Sequence, residues 1–395
     1  MRIWILTALG LGSLAGAALA QPVPRLFRQR PLPLTLPSHP AAAAEYEVEV
    51  ATARLPAATR LTLELPDGRV FPVRRTAFER RSARDYSWTG RVQLPIGEAD
   101  LVLAVKDDAV AGAVLGLGTT WEIVPGSLGR QRLVQLDPAW QPECVEAPPR
   151  GSASAIPVMT SPAVQAAAGD SADRIDVLVV YTAAARSGAG GQTQIEAAIQ
   201  AAVDSVNSVW ANSEISARMR LAHADEISYV ESGDPNVDLP WVRGDAAVAR
   251  LRDAYAADMV SLWVESFSPP YASVAGIGYI QDNPGPGFAS SAFQVTRRST
   301  AIGNLTFAHE FGHNQGAEHD PPNGSPPETA SYMWSFGHFD IAKSVRTVMS
   351  YANAMNGCSG CSQIPHFSNP GVTYAPDSWV TGIADQRDNH PQRHR

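Results

Sequence analysis

Polar and apolar residues alternate in short runs along the first third of the chain. Glu45-Tyr46-Glu47-Val48-Glu49-Val50 and Arg60-Leu61-Thr62-Leu63-Glu64-Leu65 both carry the two-residue period of a half-buried strand. Pro66-Asp67-Gly68 supplies a turn into Arg69-Val70-Phe71, and further short strands are expected at 86–94, 101–106, 121–124 and 133–136. No helical period and no internal repeat interrupts them, so the segment ending near Asp137 predicts a small antiparallel β domain. The second half changes character. Residues 175–181 form a mostly apolar run, the mark of a buried strand. Ile195, Ala198, Ile199, Ala202, Val203, Val206 and Trp210 fall at helical spacing over 192–210, and Val248, Leu251 and Tyr255 do so over 245–255. Strands at 218–224, 259–264 and 288–296 fill out an α/β (α+β) pattern over 173–395.

Between the halves, residues 147–172 are rich in Ala, Ser and Pro and poor in charge, a linker composition. At the start, Arg2, an apolar run from Ile3 to Leu14 and the small residues Ala18-Leu19-Ala20 form an export-signal pattern over 1–20. The run is short for a bilayer span; a membrane anchor is the alternative. With 45% hydrophobic and 18% charged residues, the 395-residue chain can bury two sizeable cores. A net charge of −8 leaves no nucleic-acid footprint. The charge is uneven: residues 1–172 hold 17 Lys+Arg and 16 Asp+Glu, residues 173–395 hold 14 and 23. The acidic second half is read first as an aid to solubility.

The chemistry concentrates in His309-Glu310-Phe311-Gly312-His313-Asn314-Gln315-Gly316-Ala317-Glu318-His319-Asp320. On a helix, His309 and His313 share a face and can present two imidazoles to one metal. Glu310 sits beside them, within reach of a metal-bound water. Gly316 allows a turn that brings His319 back as a third ligand. Three protein nitrogens leave one position of tetrahedral zinc open, as in a catalytic site. Ser299 or Thr300 is expected to cap the helix.

This string resembles that of the metzincin metalloproteases. Thr347-Val348-Met349-Ser350-Tyr351 looks like their methionine turn, with Met349 as the floor beneath the histidines. Residues 364–370, Ile-Pro-His-Phe-Ser-Asn-Pro, resemble the pocket wall of reprolysin-like members, and the likeness extends to bacterial peptidyl-Asp metalloendopeptidases over about 174–389. The resemblance implies a twisted mixed sheet with an active-site helix. It also implies that the strand at 288–296 runs antiparallel at the sheet edge, lining the cleft. It implies one catalytic Zn2+, Glu310 as general base, protein or peptide substrates, and cleavage beside acidic residues. Asp320 would brace the site, against a solvated loop acid as the alternative. Tyr351 would ligate zinc weakly or stabilise the oxyanion, against plain packing. Arg297, Arg298, Lys343 and Arg346 are the cations near the motifs that could read an acidic side chain, unranked by sequence. His366 is read as packing.

An exported protease with a preceding β domain suggests a proenzyme. Residues 21–146 would form an inhibitory propeptide domain removed within 147–172, leaving 173–395 as the catalytic domain; a permanent accessory domain is the alternative. Cys358 and Cys361 read as a local disulfide. Cys144 is odd in number: it is either a plain unpaired thiol or a latency ligand at the open zinc position. A secreted monomer is expected, without membrane attachment after signal cleavage. The sequence says nothing of calcium. Thr381-Gly382 and Asp388-Asn389 resemble a stretch that related enzymes follow with a final helix, and this sequence is expected to lack that helix. A zinc-containing binding module without hydrolysis is the alternative function, and an intact Glu310 argues against it.

Overall fold

The computed structural model describes residues 23–35, 38–140, 143–145, 174–375 and 378–389. The signal pattern at 1–20 and the linker at 147–172 lie outside them. The first half is a meander of β1 (Leu32–Pro33), β2 (Ala42–Val48), β3 (Arg60–Glu64), β4 (Val70–Arg80), β5 (Asp85–Gln93), β6 (Glu98–Lys106), β7 (Ala109–Leu115), β8 (Trp121–Val124) and β9 (Gln131–Leu136). They form one antiparallel sheet in the order β1-β2-β9-β8-β7-β6-β5-β4-β3. Arg25 bridges to Thr62 on β3 and Phe27 to Val50 just past β2, which ties the two ends of the meander together. Trp88, Trp121, Leu61, Leu63 and Leu103 fill the enclosed core.

The second half is layered. A two-residue strand β10 (Glu143–Cys144) precedes β11 (Arg174–Tyr181), α1 (Ala183–Ala189), α2 (Gln192–Asn212), β12 (Arg218–Glu226), α3 (Pro235–Gly244), α4 (Ala246–Ala254), β13 (Met259–Val264), β14 (Val274–Gly278), β15 (Phe293–Arg297) and α5 (Thr306–Asn314). The sheet order is β10-β14-β15-β13-β11-β12, parallel throughout except for β14 against β15. The parallel strands are buried on both faces, so they read as continuous apolar runs. One face packs on α2 and α5, the other on α3 and α4. Helix α2 is buried on two sides, because Ala109, Ala111, Ala113 and Leu115 of β7 share a core with Ile195, Ile199, Val203 and Val206.

Two sequence expectations are corrected. The antiparallel strand beside the motif helix is β14, not 288–296. Residues 286–291 form a 3-10 turn, and β15 behind it is internal and parallel to β13. Neither Ser299 nor Thr300 caps α5: both lie in a separate 3-10 turn. The helix starts after Leu305, a buried residue at φ 56° with no side-chain cap, so burial of the apolar side chain sets the start there. Among the described residues no helix is long and apolar enough to cross a membrane.

Candidate active site

Helix α5 carries His309 and His313 one turn apart. It ends in a Schellman turn: Gly316 N–H donates to His313 O at 3.0 Å and Ala317 N–H to Gly312 O at 2.9 Å. Gly316 sits at φ 87°, a conformation that costs a side chain more than it costs glycine. The reversal sends His319 back toward the helix. Its Nε2 lies 3.1 Å from His309 Nε2 and 3.0 Å from His313 Nε2.

The other ring nitrogen of each histidine faces a carbonyl. His309 Nδ1 is 2.9 Å from Val348 O, His313 Nδ1 2.8 Å from Ala317 O and His319 Nδ1 3.3 Å from Asn323 O. A carbonyl only accepts, so each Nδ1 carries the proton and each Nε2 turns a lone pair inward. Burial holds all three imidazoles neutral, lowering their pKa values, that of His313 to about 4. Three converging lone pairs repel one another unless a cation sits among them. The donor set therefore fits a divalent metal, and three imidazole nitrogens suit zinc.

Glu310 is buried against β14. A Cβ on Gly276 would come within 2.6 Å of Glu310 Oε1, and one on Gly278 within 2.9 Å of Glu310 O. Only glycine lets this strand and the carboxylate approach so closely. Neither glycine stood out in the sequence, because nothing in a glycine's neighbours along the chain tells what will press on it in space. Burial raises the Glu310 pKa to about 8. Oε1 accepts from Cys144 Sγ at 2.6 Å, and Oε2 has no partner among the described residues.

Cys144 reaches this point because β10 adds to β14 as a parallel outer strand. Its backbone N–H donates to Tyr351 Oη at 3.2 Å and its carbonyl accepts from that hydroxyl at 3.1 Å. Burial, first, and the Glu310 charge push the thiol pKa well above its ordinary value. The Tyr351 ring lies 4.3 Å from that of His319 and parallel to that of His309 at 6.1 Å.

Asp320 is fully buried, which removes the solvated alternative. Its Oδ2 accepts from Tyr351 N–H at 2.8 Å and Ser350 Oγ at 3.1 Å, and Oδ1 from Asn323 Nδ2 at 2.8 Å. It thus ties the loop after His319 to the turn containing Met349. Met349 packs under α5, where a Cβ on Gly312 would meet its sulfur at 2.6 Å. Cys358 and Cys361 are disulfide-bonded, with Cα atoms 5.3 Å apart. His366 is buried edge-on to Tyr374, away from the three histidines.

The description "Metallo-peptidase family M12" matches residues 171–368, half of the chain. A peptidyl-Asp metalloendopeptidase of Xanthomonas campestris pv. campestris is 30% identical over 92% of this chain and 89% of its own length. One of Stenotrophomonas maltophilia (strain R551-3) is 32% identical over 73% of this chain and 67% of its own. The metalloproteinase-II of Bacteroides fragilis aligns with 83% of this chain and 91% of its own at TM-score 0.41 and 11% identity, too distant a likeness to add weight. The three-histidine centre stands inside the matched region, and on these grounds the chain belongs to metallopeptidase family M12 and is a metalloendopeptidase.

Proposed function

We propose that this chain is a secreted zinc endopeptidase made as a proenzyme and selecting acidic residues at the cleavage site. The observation that carries the reading is the convergence of three inward-turned Nε2 atoms beside a buried carboxylate. His309, His313 and His319 would hold zinc, which would supply a lowered pKa for an attacking water and polarisation of the scissile carbonyl. Glu310 takes the proton of the attacking water and returns it to the leaving amine. The Tyr351 hydroxyl, engaged by the Cys144 backbone in the closed form, donates to the developing oxyanion once that segment leaves. Asp320, Met349 and Gly316 hold the ligands in place.

Support for latency comes from Cys144, whose sulfur lies among His309 and Glu310 with ligand atoms within 4.8 Å of one another. Residues 143–144 also occupy the edge of β14, where an extended substrate would pair by main-chain hydrogen bonds. Support for export and for removal of 21–146 by cutting within 147–172 is compositional, from the leader and linker patterns. Support for acidic selection is the name shared by the relatives.

Peptide-library cleavage by the processed, zinc-loaded enzyme tests the activity. Cuts flanked by acidic residues that vanish with chelator and with Glu310→Ala are expected. A folded, zinc-bound enzyme that cuts nothing would sink the proposal. N-terminal sequencing of secreted active protein tests processing: a start within 147–172 is expected, and a start at Gln21 would exclude a removable propeptide. Cys144→Ala in the proenzyme should give premature activity; silence would count against the thiol.

A further inference from the structure

Four cations near the motifs could meet an acidic substrate side chain, and the fold separates them. Arg298 is committed: its Nε and Nη2 fork onto Glu265 at 2.6 and 2.8 Å. Arg297 ends β15, and its Nη1 donates to Ala272 O at 2.9 Å. Lys343 is exposed. Arg346 differs in place. It is buried, 7% exposed, and lines a pocket together with His309, Val348, Tyr351, Glu143 and Cys144. The pocket therefore lies directly beside the metal-ligand cluster, and Glu143 and Cys144 of the β10 segment that the proenzyme reading removes form part of its lining.

Burial is costly for a guanidinium unless it is held by dipoles or an opposing charge. Nη1 donates to Ser350 O at 2.6 Å, and the same Ser350 is fixed by Asp320 through its hydroxyl. The cation is thus braced by the turn that carries Met349 and Tyr351. Burial lowers its pKa only to about 10, with Asp320 opposing the fall, so it stays charged at neutral pH. A guanidinium offers several N–H donors in a planar fork that matches a carboxylate. An aliphatic wall from Val348 and a cation at one side suit a short acid in place of its amide.

We infer that Arg346 is the specificity-determining residue of this peptidase: in the processed enzyme it receives the carboxylate of an acidic substrate residue entering the pocket beside His309. The assignment rests on the endopeptidase reading above. The recognised class is a peptide with an Asp-sized acidic side chain flanking the scissile bond.

The test uses processed, zinc-loaded enzyme and pairs of fluorogenic peptides that differ only by Asp or Asn at each position flanking the cut. Wild type should prefer Asp in kcat/KM, and Arg346→Gln should collapse the Asp-over-Asn ratio toward unity, a loss of roughly 30- to 1000-fold, as for truncation of one partner of a buried charge pair. Arg346→Lys should restore part of the ratio. Binding of the same peptides to Glu310→Ala enzyme, by calorimetry, should show the same preference without turnover. The stably placed Arg297→Gln and Lys343→Gln variants decide the matter even where position 346 tolerates no change: both should keep the ratio, and its loss in either overturns the assignment. So does a ratio retained in Arg346→Gln. A wild-type enzyme that cuts Asp and Asn peptides equally removes the acid pocket but leaves the peptidase; one that cuts neither removes both.

Discussion

At the residue scale the catalytic cluster is compact because one short string of sequence carries most of it. Glu310 is the sharpest test. Glu310→Gln keeps size and burial but removes the base, so kcat should fall by about 10²- to 10⁴-fold while zinc content, read by metal analysis, stays the same. A small fall would assign proton transfer elsewhere. Asp320 makes a different prediction. It is buried and accepts three hydrogen bonds that join two loops. Asp320→Ala should cost about 2–4 kcal/mol, since each bond to a buried charge contributes more than a neutral one. Thermal melting and zinc retention should fall together. The three histidines, Glu310 and Gly316 were legible because spacing of three and four residues translates directly into one helix face and one turn. Gly276 and Gly278 were not, since their role lies in what presses on them from 30 or so positions further along the chain.

At the element scale, strands with one wet face were readable by alternation, and doubly buried strands of large apolar residues such as β11 and β13 by their continuous runs, but a doubly buried strand of small residues was not. β7 has the sequence Ala-Val-Ala-Gly-Ala-Val-Leu, all buried, and shows no alternation. Its Val110 and Val114 face the core of the first half, while Ala109, Ala111, Ala113 and Leu115 face α2. The small residues allow the helix to come close. Ala111→Phe should therefore overpack this seam and destabilise the docked chain by about 1–3 kcal/mol while leaving the first sheet formed. Two separate melting transitions in place of one would show it; an unchanged single transition would mean that the seam is loosely packed. β14 escaped for a related reason: glycines that admit Glu310 lower its strand propensity. The cap of α5 escaped because a buried Leu305 in a left-handed conformation starts the helix, and no hydrogen-bonding side chain marks the place.

At the scale of the whole molecule, the two halves meet through buried ionisable groups as well as through apolar area. Glu122 on β8 accepts from Gly303 N–H at 3.1 Å across the seam, and burial raises its pKa from 4.5 to about 8. Asp204 on α2 accepts from Ser87 on β5, and burial raises its pKa to about 6. His39 approaches Ser299 O at 2.9 Å, and burial lowers its pKa to about 4. The signs follow from which form the docked state prefers. The two acids are docked protonated, so their contribution is whole below their unfolded pKa values and is lost as pH rises through the raised ones. His39 is docked neutral, so its contribution is lost as pH falls from 6.5 through about 4. Between about 6.5 and 8 the only one of the three still titrating is Glu122, and it weakens docking as it ionises. In a Glu310→Ala background, which prevents self-cleavage, the melting temperature of the full chain should fall from about pH 6.5 to pH 9. Glu122→Gln keeps an acceptor for Gly303 without the charge and should flatten that fall. A slope that survives the substitution would place the alkaline sensitivity in another group. A flattened one would mean that the seam between the β half and the catalytic half loosens by ionisation of one buried carboxyl, and in the proenzyme reading that loosening favours release of the β half at alkaline pH.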